Sequence, residues 1–402
     1  MVAKYAPCVA AAIIVLLLGA RFSHTLYQPL SYNDTGESVR MVRRVLPHQH
    51  SLPDLWRWSH SRWPMQPSSR YYRPLAMFSF VADWHLWKEN AFGYRLTSLL
   101  LLIACALAFG AMAGRIVGPA GWLAAVMWAW APIRLDPLYL VSPALHLAGV
   151  QDKATTWVIA RPDLLATVFV LLACWSVSKQ GRALWLFPLF HFAALLSKES
   201  AIPLAALITV YALLEEKNWA QKGGYVLMAW AVLGGYLILR QIALHVDPVT
   251  QVAGLPRSAP TMARWLGMFL LGPGIRFMDT AQAILISGWM LLEPSTWERL
   301  VEAALYFFSL YLLLRFQVRQ LVFWIMWAFL FVVLIIHLPV FWAWGHYWLL
   351  ASFAAPALLC VALKALWQEM IAPRPFGRWL SLVLGLERAS PAGVQEAEPT
   401  RS

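Results

Sequence analysis

Long apolar stretches alternate with short polar breaks along this chain, at about 96–114, 119–133, 162–178, 183–197, 199–214, 223–243, 300–315, 321–343 and 346–368, after a first apolar run at 6–20. Most approach the roughly 20 residues that a helix needs to cross a hydrocarbon core. Two shorter stretches, 262–275 and 280–293, flank Gly272-Pro273-Gly274 and read as re-entrant or interfacial segments. The pattern predicts an all-α polytopic membrane helix bundle with about 10–12 membrane segments. Segment 183–197 is short and ends in Ser197-Lys198-Glu199, so it is expected to pack inside the bundle with that charged pair at one mouth.

One region departs from this rhythm. From Tyr27 to Trp87 the chain carries Asp34, Glu37, Asp54, Asp83, seven arginines and four histidines, its densest run of charge. A chain that otherwise dissolves in the bilayer does not keep such a segment without a polar task, and we read it as an active-site loop. The organisation that follows has four parts. Residues 1–23 form a signal-anchor or first transmembrane helix, 24–95 a first non-cytoplasmic loop with interfacial helices, 96–368 a multi-helix transmembrane domain, and 369–402 a polar cytoplasmic tail, partly disordered. Within the loop, MFSFVADWHLW sets Phe78, Val81, Trp84, Leu86 and Trp87 against Asp83 and His85, the pattern of a helix lying in the interface.

Composition narrows the function classes. Of 402 residues 60% are hydrophobic and only 13% charged, against a globular average of roughly 25%, which excludes an ordinary soluble domain. The net charge of +12 is scattered over short loops, so it points to anionic membrane lipid as a partner and not to nucleic acid. Cys8, Cys105, Cys174 and Cys360 all fall in apolar runs at spacings that no zinc site uses, and read as packing residues. With a cytoplasmic N-terminus, Arg115, Lys179, Arg182, Lys217, Lys222, Arg315, Arg319 and the C-terminal tail all fall inside, as the positive-inside rule prefers. The first loop then faces the other side although it is itself basic, which suits a phosphate ligand.

The chemistry-bearing residues sit where hydrophobic stretches begin or end. Ser31-Tyr32-Asn33-Asp34-Thr35-Gly36-Glu37 is a turn-forming run that sets Asp34 just outside the membrane, and Asp34 or Thr35 also suits the N-cap of a helix at 37–46. Tyr72-Arg73-Pro74-Leu75 precedes the interfacial run. Pro132-Ile133-Arg134-Leu135-Asp136 closes one helix, Ala160-Arg161-Pro162-Asp163 opens another, and Leu196-Ser197-Lys198-Glu199-Ser200 interrupts a third. Two purely structural pairings compete with any function here: Asp163 with Arg161, and Lys198 with Glu199. His48, His50 and His60 offer a divalent ion little more than a solvated loop, and Trp56, Trp58 and Trp63 fit a headgroup belt better than a sugar platform.

YRPL followed by a helix, "FGYRLTSLLL", "ARPDLLATVFVLLA", "LLSKESAIPL" and the later "YLILR" together resemble the bacterial relatives of transmembrane O-mannosyltransferases, within the C-type (GT-C) integral-membrane glycosyltransferases. The resemblance covers about residues 5–245 and thereafter is one of topology only. It implies a helix bundle with a cavity on the side of the first loop, in a bacterial inner membrane with both termini cytoplasmic. It also implies transfer of a sugar from a polyprenyl-phosphate carrier to an acceptor hydroxyl on a protein or glycan. By the same resemblance the first-loop acid falls on Asp34, the acid after the third helix on Asp136, Arg-x-Asp on Arg161 and Asp163, and the Lys-Glu pair on Lys198 and Glu199. Relatives usually carry two adjacent acids where this chain has Asn33-Asp34, and His and Asn where it has Arg95 and Ser98. The tetratricopeptide repeats of some relatives are absent.

Such a transfer needs a base for the acceptor hydroxyl and cations for the leaving phosphate. Asp34 is the expected general base of a single, inverting displacement. Arg73, Arg161, Lys198 and Arg240 are the expected phosphate-binding cations, with Glu37, Asp136, Asp163 and Glu199 completing the substrate-binding set. Because arginine forks and a lysine can neutralise the leaving phosphate, no metal or other cofactor is expected beyond the lipid-linked donor itself. Two rivals remain in view: a transporter or flippase of a lipid-linked or anionic substrate, and a non-catalytic family member, which the single acid of Asn33-Asp34 keeps open.

Overall fold

A computed structural model of the chain describes residues 2–30, 37–48, 71–130, 158–215, 219–244, 307–333 and 349–372. Every element among them is helical. In chain order they are α1 (Val2–Phe22), α2 (Glu37–Arg40, running on through turns to His48), α3 (Pro74–Trp87), α4 (Ala91–Ile116) and α5 (Ala120–Trp130). These are followed by α6 (Arg161–Lys179), α7 (Phe187–Ser197), α8 (Leu204–Leu214), α9 (Trp219–Leu244), α10 (Phe307–Phe316), α11 (Val318–Val333), α12 (Leu349–Ser352) and α13 (Ala354–Ala365). Among the described residues, five helical stretches are long and apolar enough to cross a membrane, at Tyr5–Tyr27, Ala91–Ile116, Val158–Lys179, Lys222–Leu244 and Leu349–Ile371; five shorter apolar helices lie among them. The protein is an all-α polytopic membrane helix bundle.

Helix starts follow proline. Pro74, Pro162 and Pro188 each occupy the first turn of α3, α6 and α7, where a missing N–H removes no intrahelical bond and a fixed φ favours the helix. Helix α4 begins at Ala91, five residues ahead of its apolar run, because the Asn90 side chain caps it by accepting from the Phe92 N–H at 3.1 Å. Tyr94 and Arg95, which hydropathy leaves in the loop, are thereby drawn into the buried wall of the bundle.

The bundle is built around α4 and α6, which pack on each other; α5 and α1 cover one flank of α4, and α7, α8 and α9 extend from α6. With little hydrophobic driving force between helices in lipid, close approach depends on small residues. A Cβ at Gly121 of α5 would run into the backbone of Ala113 and Gly114 on α4, and one at Gly110 would run into the Trp122 ring. Helices α11 to α13 close the far flank through aromatic contacts. Trp128 stacks on Phe353 with ring centroids 4.6 Å apart, Phe109 meets Trp324 edge-on, and the indole N–H of Trp327 donates to the Leu350 carbonyl at 2.6 Å. Cys105, Cys174 and Cys360 lie buried in this packing as free thiols.

Helix α3 sits less superficially than an interfacial amphipath. Asp83 is buried together with Val81 and Trp84, whereas Phe78 and Leu86 face outward. The side that packs is apolar, with Ala76, Met77, Phe80, Val81 and Trp84, and it takes Asp83 inward with it to meet Arg161.

Candidate functional site

At one end of the bundle, the starts of α3, α4 and α6 meet the ends of α1, α7 and α9. Five of the residues singled out in the sequence converge there: Arg73, Asp163, Lys198, Glu199 and Arg240.

The break between α7 and α8 makes this possible. Lys198 is extended, with φ −163° and ψ 148°, and Glu199 opens a short turn before Pro203. Successive side chains on extended backbone point in opposite directions, so these neighbours in sequence reach different partners. Lys198 donates to Asp163 of α6 at 2.5 Å. Glu199 receives the Arg73 guanidinium, whose Nε and terminal nitrogen both lie 2.9 Å from Oε2, and the Tyr72 backbone N–H at 3.2 Å from Oε1. Arg73 precedes Pro74, which holds it in extended backbone at φ −136° and lets it leave the chain toward Glu199. Its guanidinium also lies 4.1 Å from the centre of the Tyr71 ring.

The ion pairs are thus made between elements, and the cluster is largely dry. Side-chain exposure is 6% for Lys198, 7% for Asp163, 12% for Arg73 and 18% for Glu199. Burial opposes the charge on Arg73, but Glu199 and the nearby Asp163 more than offset it, so the pKa of Arg73 is raised and the group stays charged at any working pH. Arg240 acts electrostatically on Glu199. Among the described residues, Arg73, Lys198 and Arg240 are thus gathered with Asp163 and Glu199 in one cluster largely shielded from water.

Arg161 has a different place. It is wholly buried, its terminal nitrogen lies 2.6 Å from Asp83 Oδ2, and it donates to the carbonyls of Tyr94 at 3.0 Å and Ser79 at 3.3 Å. The Phe80 ring packs 4.3 Å from its centre, and Asp83 also accepts from the Thr97 hydroxyl at 2.8 Å. One guanidinium thus ties α3, α4 and α6 together beside the cluster. Arg95 does the same for the start of the first loop, donating to the carbonyls of Gln28 at 2.9 Å and Pro29 at 2.5 Å.

Asp34 and Asp136 lie outside the described residues, and of Glu37 only the helical backbone is described. Both flanks of the Asp34 segment are nevertheless anchored near the cluster. Leu30 on one side and Met41, Val42 and Leu46 on the other pack with Phe80 and Trp84 of α3, Val158, and Leu165 of α6.

The opposite end carries a second polar knot. Glu215 accepts from the hydroxyl of Tyr225 at 3.0 Å and from the Gln180 amide at 3.3 Å, while the Lys222 ammonium donates to its backbone carbonyl. Gln320 donates to the Ile116 carbonyl at 3.2 Å and Lys364 to that of Val117 at 2.9 Å. Arg115, Lys179, Lys222, Arg319 and Lys364 accordingly gather at the end away from the Arg73–Glu199 cluster.

Sequence reasoning missed Asp83, which reads as the wet side of an amphipath, and Tyr236, which reads as one more aromatic in a membrane span. For Asp83 the available signal was its place in the same chain as a buried Arg161 that needed a counter-charge. For Tyr236 the signal was its position four residues before Arg240, on the same helix face. Fold and site together define the class, a polytopic membrane protein with a buried cluster of ionisable side chains at one end. The chain matches no protein-family model and no curated protein.

Proposed function

We propose that this protein is a membrane glycosyltransferase of the GT-C kind, moving a sugar from a polyprenyl-phosphate carrier to an acceptor hydroxyl of a protein or glycan on the non-cytoplasmic face of a bacterial inner membrane. The observation that carries the reading is the gathering of Arg73, Lys198 and Arg240 with Asp163 and Glu199 in one buried cluster. Ionisable groups inside a bundle are costly and mark ligand sites or pathways, and here three cations from separate elements are brought to one place where a lipid phosphate can meet them. A phosphate leaving group gains most from cations already in place and already dehydrated, since they need no reorganisation as charge develops.

In this reading Arg73, Lys198 and Arg240 receive the lipid phosphate. Asp163 and Glu199 hold two of those cations in register, and Arg161 acts as a positioning residue through Asp83. Asp34 takes the proton from the acceptor hydroxyl as its oxygen attacks the anomeric carbon. The glycosidic bond forms while the bond from that carbon to the phosphate oxygen breaks, the configuration inverts, and the polyprenyl phosphate departs with the bond's electron pair. The gathering of Arg115, Lys179, Lys222, Arg319 and Lys364 at the far end supports a cytoplasmic assignment for that end, which leaves the cluster facing the other side.

A labelled polyprenyl-phosphate sugar offered to the purified protein in lipid tests the proposal through the formation of a glycoside. Asp34→Asn is expected to reduce transfer by about 10²-fold or more with unchanged expression and unfolding temperature. Full transfer by that variant removes Asp34 as the base. Movement of the lipid across the bilayer without glycoside formation favours the transporter reading instead.

A further inference from the structure

The Tyr236 side chain is an anomaly in its surroundings. It is fully buried, yet its hydroxyl has no hydrogen-bond partner among the described residues. A buried hydroxyl left unpaired is unfavourable, and a phenylalanine would fill the same space without that cost. The hydroxyl is not adrift in apolar packing, either. It lies close enough to Glu199, Arg240 and Arg73 to be acted on by their charges, and its ring sits 6.3 Å from that of Tyr72, whose own N–H holds Glu199. Tyr236 and Arg240, on one face of α9, thus address the same cluster that Arg73 enters from the first loop.

We propose that Tyr236 completes an anion seat, its hydroxyl donating to a phosphate oxygen of the lipid-linked ligand while Arg73 and Arg240 supply the charge. The inference rests on the lipid-phosphate reading above and adds to it a neutral donor that orients the phosphate. A hydroxyl donor suits this place because a neutral group gives the phosphate direction without adding to the repulsion among Arg73, Lys198 and Arg240. The unpaired hydroxyl is then a donor held ready for the ligand.

The test compares a long-chain polyprenyl phosphate with the corresponding polyprenol, each titrated into wild-type protein and Tyr236→Phe in nanodiscs, with unfolding temperatures read in parallel. A hydrogen bond to a charged group implies about a tenfold or greater loss of affinity for the phosphate lipid. Affinity for polyprenol is expected to stay unchanged, and the unfolding temperature to stay level or rise, since the substitution deletes an unsatisfied group. Equal affinity of both proteins for the phosphate lipid overturns the proposal. So does an equal loss for both lipids, or a fall in unfolding temperature, each of which assigns Tyr236 to packing. A wild-type protein that does not prefer phosphate lipid to polyprenol overturns the seat as well. Sugar transfer, measured separately, keeps the two ideas apart. Phosphate binding that depends on Tyr236 without any transfer sinks the enzyme and leaves the seat, and transfer with undiminished binding by Tyr236→Phe does the reverse.

Discussion

Removing Asp83 should be among the most damaging single changes in the described bundle. Its partner Arg161 is wholly inaccessible and 2.6 Å away, and Asp83 itself is 5% exposed. In Asp83→Ala the guanidinium would keep, among the described residues, the neutral carbonyls of Ser79 and Tyr94 and the rings of Phe80 and Tyr94. Stranding a buried charge in this way costs about 3–5 kcal/mol, a large part of the roughly 5–15 kcal/mol that a folded domain has. Asp83→Asn, which keeps an acceptor oxygen and the Thr97 contact, should cost less. The double variant Asp83→Leu with Arg161→Met removes both charges at once and should fall within about 1 kcal/mol of wild type, a coupling of roughly 2–3 kcal/mol or more. Denaturant unfolding of wild type, Asp83→Leu, Arg161→Met and the double variant in mild detergent measures the cycle. Single changes that each cost under about 1 kcal/mol and simply add would refute the claim that this pair locks α3, α4 and α6. Transfer by the double variant then asks a separate question, because a positioning role for Arg161 allows activity to return with stability whereas direct contact with phosphate does not.

Lys198→Met should remove a buried charged hydrogen bond from Asp163, which keeps the charge of Arg73 nearby, and cost about 1.5–3 kcal/mol; adding Asp163→Leu should recover part of the stability but none of the phosphate-lipid affinity, as unfolding and lipid titration would show. Gly121→Leu should push α5 away from the Ala113 backbone and cost about 1–3 kcal/mol or more, whereas Gly19→Ala, with nothing within 4 Å of its Cβ, should leave the unfolding midpoint level or raise it. Arg43→Gln breaks an ion pair to Glu89 whose side chains are 63% and 57% exposed, and should shift stability by no more than about 1 kcal/mol.

The apolar periodicity alone determined that this chain is a helical membrane bundle, and the order and approximate extent of the described helices followed from it, because twenty apolar residues in lipid have no alternative to satisfying their own backbone. Proline placed the starts of α3, α6 and α7, and the odd polar residues at helix ends pointed to Arg73, Asp163, Lys198, Glu199 and Arg240. The pairing of those charges was a tertiary decision. Sequence proximity favours Arg161 with Asp163 and Lys198 with Glu199, yet the extended backbone at Lys198 divides its neighbours between α6 and the first loop, and Arg161 turns to Asp83 on α3. Hydropathy reads each residue by its kind, so it left Asp83 in water and Tyr236 in lipid. Which side of a helix faces the bundle depends on partners that are distant in sequence, and α3 buries Asp83 among apolar residues because Arg161 of α6 is there to meet it.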